Sequence, residues 1–205
     1  LGPEGRLKTE RKGWGRFTLR VKGKASHAGL DPEGGASAIL ELAHLIRRLH
    51  AMTDLSRGIS VNVGVVSGGT RANVVAAEAS CEVDLRILSG ADGAEMEAKI
   101  RGLRATEPGT SLEVEGGVQV PPLERTPRNR ALWHAAVDAA SDLGMQLDEG
   151  VAGGGSDGNT TSLYTATLDG LGPVGGGAHA PHEFLLVDRQ VERCALLASL
   201  LLLPA

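Results

Sequence analysis

Along GRFTLRVKG, residues 15–23, apolar and polar residues alternate. Phe17, Leu19 and Val21 fall on one side, Thr18, Arg20 and Lys22 on the other. A period of two predicts a half-buried strand. The turn-rich stretch SHAGLDPEGG follows. Between residues 36 and 52 the period lengthens: Ile39, Leu42, Ala43, Ile46 and Leu49 recur at helical spacing, with Glu41, Arg47 and Arg48 on other faces, and predict a helix. Alternation returns in ISVNVGVVSGG (59–69) and in NVVAAEASCEVDLRIL (73–88). In the latter Ala79, Cys81, Val83, Leu85 and Ile87 oppose Ser80, Glu82, Asp84 and Arg86. The connection between these two strands reads as short as a hairpin loop. ADGAEMEAKIRGLRA (91–105) is an amphipathic helix with Asp92 as its expected N-cap, and TSLEVEGG (110–117) is a last strand.

The order strand, helix, strand, strand, helix, strand predicts an α+β unit over residues 14–120. It is a ferredoxin-like βαββαβ sandwich with helices on one face of an antiparallel sheet. Beyond Pro121 and Pro122 the text changes. Residues 128–145 form an Ala-rich helix, VAGGGSDGNTTSLY a glycine-rich loop, and ATLDGLGPVGGG a short strand. A final helix is expected with Asp188 at its N-cap. Residues 121–205 offer too few strands for a sheet of their own, and a piece this small hides its apolar faces poorly. They read as the last portion of a larger α/β domain, and residues 1–13 as a tail of the same domain.

Bulk numbers narrow the function. The 205 residues suit one large domain or two small ones. A net charge of -4 without a basic stripe argues against nucleic acid as a partner. Aromatics are only 2%, so the core must be aliphatic. Cys81 and Cys194 match no zinc or disulfide spacing and read as small buried hydrophobes. No stretch reaches the roughly 18 apolar residues of a membrane span, and no membrane partner is expected. The start shows no secretory signal, which favours the cytoplasm, although a chain beginning at Leu1 leaves the compartment open.

Candidate chemistry sits in GPVGGGAHAPHEFLLVD, residues 172–188. Glycines let backbone approach a ligand closely, and the prolines exclude a regular helix or central strand. On the residues alone, His179 and His182 read equally well as functional groups or as members of a polar turn. Four stretches taken together are more specific: GKASHAGLDPEGGASAI, SGGTRANVVAAEASCEVDLR, GGGSDGN and GPVGGGAHAPHE. With these the chain resembles the zinc-dependent aminoacylase and carboxypeptidase family, which includes glutamate carboxypeptidase, acetylornithine deacetylase and succinyl-diaminopimelate desuccinylase. In that family a ferredoxin-like lid, which also makes the dimer interface, is inserted into a dinuclear zinc domain.

The resemblance implies that His179 is a zinc ligand and that Glu183 helps order its loop. It implies that His27 reaches a neighbouring subunit's active site and donates a hydrogen bond to the scissile carbonyl oxygen; a turn histidine is the plainer alternative. Asn73 and Arg86 match positions that bind the substrate's carboxylate or carbonyl, the plainer reading of Arg86 being a surface ion pair. Gly154, Gly155 and Ser156 match a loop whose backbone donors line the substrate pocket. His44, His50, His134 and His182 receive no role.

The implied parent is a homodimer with two zinc ions that cleaves an amide bond of an N-acyl amino acid or small peptide, nearest in flavour to glutamate carboxypeptidase. The family's other zinc donors and its catalytic glutamate precede the lid, and no match for them stands before Gly15. One histidine is too few for a hydrolytic zinc site, so the chain alone is expected to be inactive. The rival reading is a stand-alone ferredoxin-like dimerisation or ligand-binding module without catalysis. A nucleotide loop at GGGSDGN is excluded because no Gly-Lys-Ser/Thr follows.

Overall fold

Strand β2 (Gly13–Lys22) buries Phe17, Leu19 and Val21 and turns Arg16, Arg20 and Lys22 to solvent, as the alternation of its sequence requires. The computed structural model describes residues 4–203. In it β2 pairs antiparallel with β4 (Glu78–Ile87) on one side and with β5 (Ser111–Val120) on the other. Strand β3 (Ser60–Gly68) pairs with β4 and forms an edge, giving the order β3-β4-β2-β5. Helices α1 (Ala38–His50) and α2 (Gly90–Arg101) pack on one face. Phe17, Leu19, Cys81, Val83 and Leu85 from the strands meet Leu42, Leu45, Leu49, Met96 and Ile100 from the helices in one core. Each such aliphatic side chain contributes about 1.5–3 kcal/mol by leaving water. This is the ferredoxin-like α+β sandwich, and it occupies one compact unit, Gly13–Pro121.

Several details differ from the sequence reading. The buried stripe of α1 is Ala38, Leu42, Leu45 and Leu49, whereas Ile39 and Leu40 are 47% and 48% exposed. Ser89, not Asp92, caps α2: its hydroxyl accepts the Asp92 N–H at 3.0 Å, and Asp92 sits in the first turn. β4 begins at Glu78 rather than at Asn73. The preceding residues leave the ladder to tie down the 23–38 segment, where the Ala76 carbonyl accepts from Ala38 N–H and the Ala77 carbonyl from Gly23 N–H. The β3–β4 connection is therefore a long loop, not a tight hairpin. A bulge at Gly64 shifts the register of β3, so that Val63 faces Val83 but Val65 faces Glu82.

The second unit contains the residues up to Lys12 and those from Pro122 onward. Here β1 (Leu7–Arg11) pairs parallel with β6 (Glu149–Ala152). Neither was expected as a strand, because LKTER carries one apolar residue and EGVA is short. Leu7 and Thr9 nevertheless face inward, and Leu7 packs with Trp133 and Ala136 of α3 (Pro127–Asp142). Thr126 caps α3 with Pro127 at its first position. Helix α4 (Asp157–Thr161) is short. The two-residue strands β7 (Gly175–Gly176) and β8 (Phe184–Leu185) pair antiparallel across a seven-residue loop. The last helix, α5 (Val187–Leu201), buries Leu196 against Ala139 and Ala140. Leu186 stands at its N-cap without a side-chain bond, so Asp188 is a first-turn acid and not the cap. Of the two cysteines, Cys81 is buried, as expected, and Cys194 is exposed. Among the described residues no helix is long and apolar enough to cross a membrane.

Candidate functional site

In the sandwich unit, the segment after β2 turns sharply at His27. The imidazole Nδ1 accepts two backbone N–H groups, from Gly29 at 3.1 Å and Leu30 at 3.2 Å. With Nδ1 committed as acceptor, a neutral His27 carries its proton on Nε2. The ring is exposed, so that N–H is a donor fixed in tautomer by its own turn. The turn role and the donor role are thus served by one geometry. Asn73 lies beside it: the Ala28 N–H bonds the Asn73 carbonyl at 3.0 Å, and His27 bridges Val74.

Arg86 is not part of this pair. It sits near the other end of β4, opposite Trp14 and Ser60, whereas the loop holding Asn73 enters β4 at Glu78. At about 3.4 Å per residue the separation along the strand is roughly 25 Å. Its guanidinium forks onto the Asp84 carboxylate, Nε to Oδ1 at 2.7 Å and Nη2 to Oδ2 at 3.0 Å. One copy of the chain therefore does not bring His27, Asn73 and Arg86 to a single small substrate.

In the other unit, Ser156 is the N-cap of α4. Its hydroxyl accepts the Gly158 N–H at 3.1 Å, and its own N–H is taken by the Asn159 side chain at 2.9 Å. This capping box occupies the Ser156 backbone N–H. Gly154 and Gly155 are exposed, and their N–H groups have no acceptor among the described residues.

Two residues that the sequence reading passed over hold the loop. The Asp169 carboxylate accepts from Arg11 Nε at 2.6 Å, from the Ser156 hydroxyl and from the Gly170 N–H, and Arg11 Nη1 bonds the Gly154 carbonyl at 3.0 Å. Burial alone would push the Asp169 carboxyl up; the Ser156 hydroxyl, the Gly170 N–H and the Arg11 guanidinium outweigh it and hold the group below the ordinary aspartate value. The S-x-x-N spacing of Ser156 and Asn159 is the signal that could have revealed the cap.

His179 lies in the hairpin loop between β7 and β8. It is exposed and adopts φ +66, and among the described residues it alone takes a positive φ without being glycine. Such a conformation costs a bulky residue about 1–2 kcal/mol. The Glu183 carboxylate accepts the His179 N–H at 3.2 Å, and Gly177 at φ +68 gives the loop room beside His182. No hydrogen bond joins this loop to Gly154 or Gly155 among the described residues. Nor do three or more His, Cys, Asp or Glu side chains converge there as a metal site. His179 by itself falls short of the three protein ligands of a hydrolytic zinc centre, so the described residues alone support no step that runs through zinc.

Residues 9–110 match the family model described as the peptidase dimerisation domain of M20 peptidases. These residues are an M20 peptidase dimerisation domain. Among curated M20 relatives, carboxypeptidase G2 of Pseudomonas sp. (strain RS-16) is 26% identical over 193 residues, covering 90% of this chain and 46% of its own. The indole-3-acetyl-aspartic acid hydrolase of Enterobacter agglomerans is 43% identical over 72 residues, 35% of this chain and 16% of the relative. Among solved structures, aminopeptidase PepT of Bacillus cereus ATCC 10987 superposes with a TM-score of 0.78 at 23% identity, over 97% of this chain and 54% of that one. The Bacillus subtilis YXEP protein, described as a dinuclear metal binding peptidase from the M20 family, gives 0.70 at 20% identity over 97% and 52%. The chain thus spans about half the length of the relatives it matches over most of its own length.

Proposed function

We propose that this chain supplies the lid and the C-terminal part of the catalytic domain of a dinuclear zinc hydrolase. Its substrate class is an N-acyl amino acid or small peptide, with glutamate carboxypeptidase as the nearest model. The observation that carries the reading is His27: an exposed imidazole whose two Nδ1 bonds leave Nε2–H as a preset donor. Such a donor stabilises the oxyanion that develops when water attacks an amide carbon, and losing one typically costs 10²–10³ in rate. Zinc, when bound, would supply a water activated at neutral pH. His179 would offer one ligand, and the others would have to come from outside these 205 residues, so the chain alone would not hydrolyse.

Asn73 would share the substrate with His27. Arg86 would bind a carboxylate only after exchanging its bond to Asp84. The separation of Arg86 from His27 and Asn73 supports a homodimer in which the two ends of the lid serve different sites. The free edge of β3, with Val65 and Val66 53% and 57% exposed, is the contact that would build it.

The test is hydrolysis of N-acyl amino acids and γ-glutamyl peptides by the longest polypeptide the gene encodes, with zinc content measured alongside. His27→Ala should lose 10²–10³ in kcat with its zinc retained, and His179→Ala should lose zinc. Full activity in both variants would sink the assignment. Hydrolysis that persists in the 205-residue chain alone would refute its dependence on further ligands.

A further inference from the structure

Lined by none of His27, Asn73, Arg86 or His179, a cavity of about 220 Å³ in the second unit gathers four cations, Arg6, Lys8, Arg11 and Arg193, with Asp169 and backbone at Gly5, Gly170 and Gly172. Two of the cations are matched: Arg6 by Glu4 at 2.8 Å and Arg11 by Asp169 at 2.6 Å. Lys8 and Arg193 have no ion-pair partner among the described residues, and Glu192, next to Arg193, is held by Arg189 at 3.0 Å. Arg193 is only 4% exposed. Its Nη2 bonds the Gly5 carbonyl, and its Nη1 has no acceptor. A buried guanidinium with an unused donor, beside a second unmatched cation, is unfavourable unless something anionic completes it. Burial, followed by Arg11 and Arg6, lowers the Lys8 pKa against the opposing pull of Glu4.

We propose that this cavity binds a small oxyanion, phosphate or carboxylate, between Lys8 and Arg193. The fork of Arg193 suits two oxygens of either group, and Lys8 adds a point charge. Nothing lies within 4 Å of where a side chain on Gly172 would begin, so that part of the wall is open. The inference does not rest on the amide-hydrolase reading.

The experiment titrates potassium phosphate, potassium acetate and potassium chloride at matched ionic strength into the 205-residue protein, following its unfolding temperature and the ³¹P line width of phosphate. Phosphate or acetate should stabilise the fold saturably with one site per chain, and chloride should not; the tighter of the two names the source. Lys8→Gln should weaken binding at least tenfold. Arg193→Lys, which keeps the buried charge but removes the fork, should weaken it comparably while leaving far-UV circular dichroism unchanged. Equal stabilisation by chloride, or wild-type affinity in both variants, would overturn the site.

Discussion

Asp169 takes three donors onto one carboxylate and so fixes the loop that carries Gly154 and Gly155. Asp169→Asn would leave Arg11 without its counter-charge, at a cost of about 1–3 kcal/mol. The sign of its pH dependence follows from the lowered pKa. The folded state binds the proton less readily than the unfolded chain. The carboxylate's contribution is therefore complete above the ordinary aspartate value, about 4, and is lost as pH falls through the lower folded value. Urea unfolding of wild type and Asp169→Asn should show a clear gap at pH 7 that shrinks below about pH 4. A gap that is constant with pH would mean the loss is one of packing alone. Glu41 follows the same logic in the sandwich unit. Burial opposes its charge, but the N–H groups of Glu107 and Thr106, the Thr106 hydroxyl and the nearby His44 win, and its pKa is lowered.

At the scale of elements, Gly116 is the tightest backbone constraint in the sheet. It sits at φ +99 in β5, and a Cβ there would lie 2.1 Å from the Arg16 carbonyl oxygen of β2. Gly116→Val should cost more than about 3 kcal/mol, since strain and a broken ladder add. Chemical denaturation checks this, and a loss below about 1 kcal/mol would show that the strand relaxes freely. The sandwich strands were legible because their alternation is strict: Phe17, Leu19 and Val21, or Cys81, Val83 and Leu85, leave no second choice of face. The short strands β1 and β6 were not. Their pairing depends on contacts far apart in sequence, and local pattern carries no trace of those. Caps were misread: Ser37 and Ser89 accept from their helices, whereas the expected caps Asp92 and Asp188 sit in first turns, where the helix dipole alone favours an acid. The separation of Arg86 from Asn73 was hidden for a different reason. The resemblance gave both a substrate role without a distance, and a strand carries its two ends far apart.

For the molecule as a whole, the proposed dimer makes the β3 edge a testable surface. Val65→Lys with Val66→Lys would place charge on two exposed positions of the unpaired edge. Sedimentation should show the dimer dissociating by at least tenfold more readily at unchanged circular dichroism. An unaltered dimer would move the contact elsewhere. The spread of His27 and Arg86 to opposite ends of the four-stranded sheet also dictates how crippled copies behave together. In a two-fold pair, each centre would borrow an imidazole from one copy and a guanidinium from the other. Mixing His27→Ala with Arg86→Ala protein, each inert by itself, would then leave half of the pairs hybrid. Every hybrid would carry one centre with both defects and one with neither, restoring about a quarter of the native turnover.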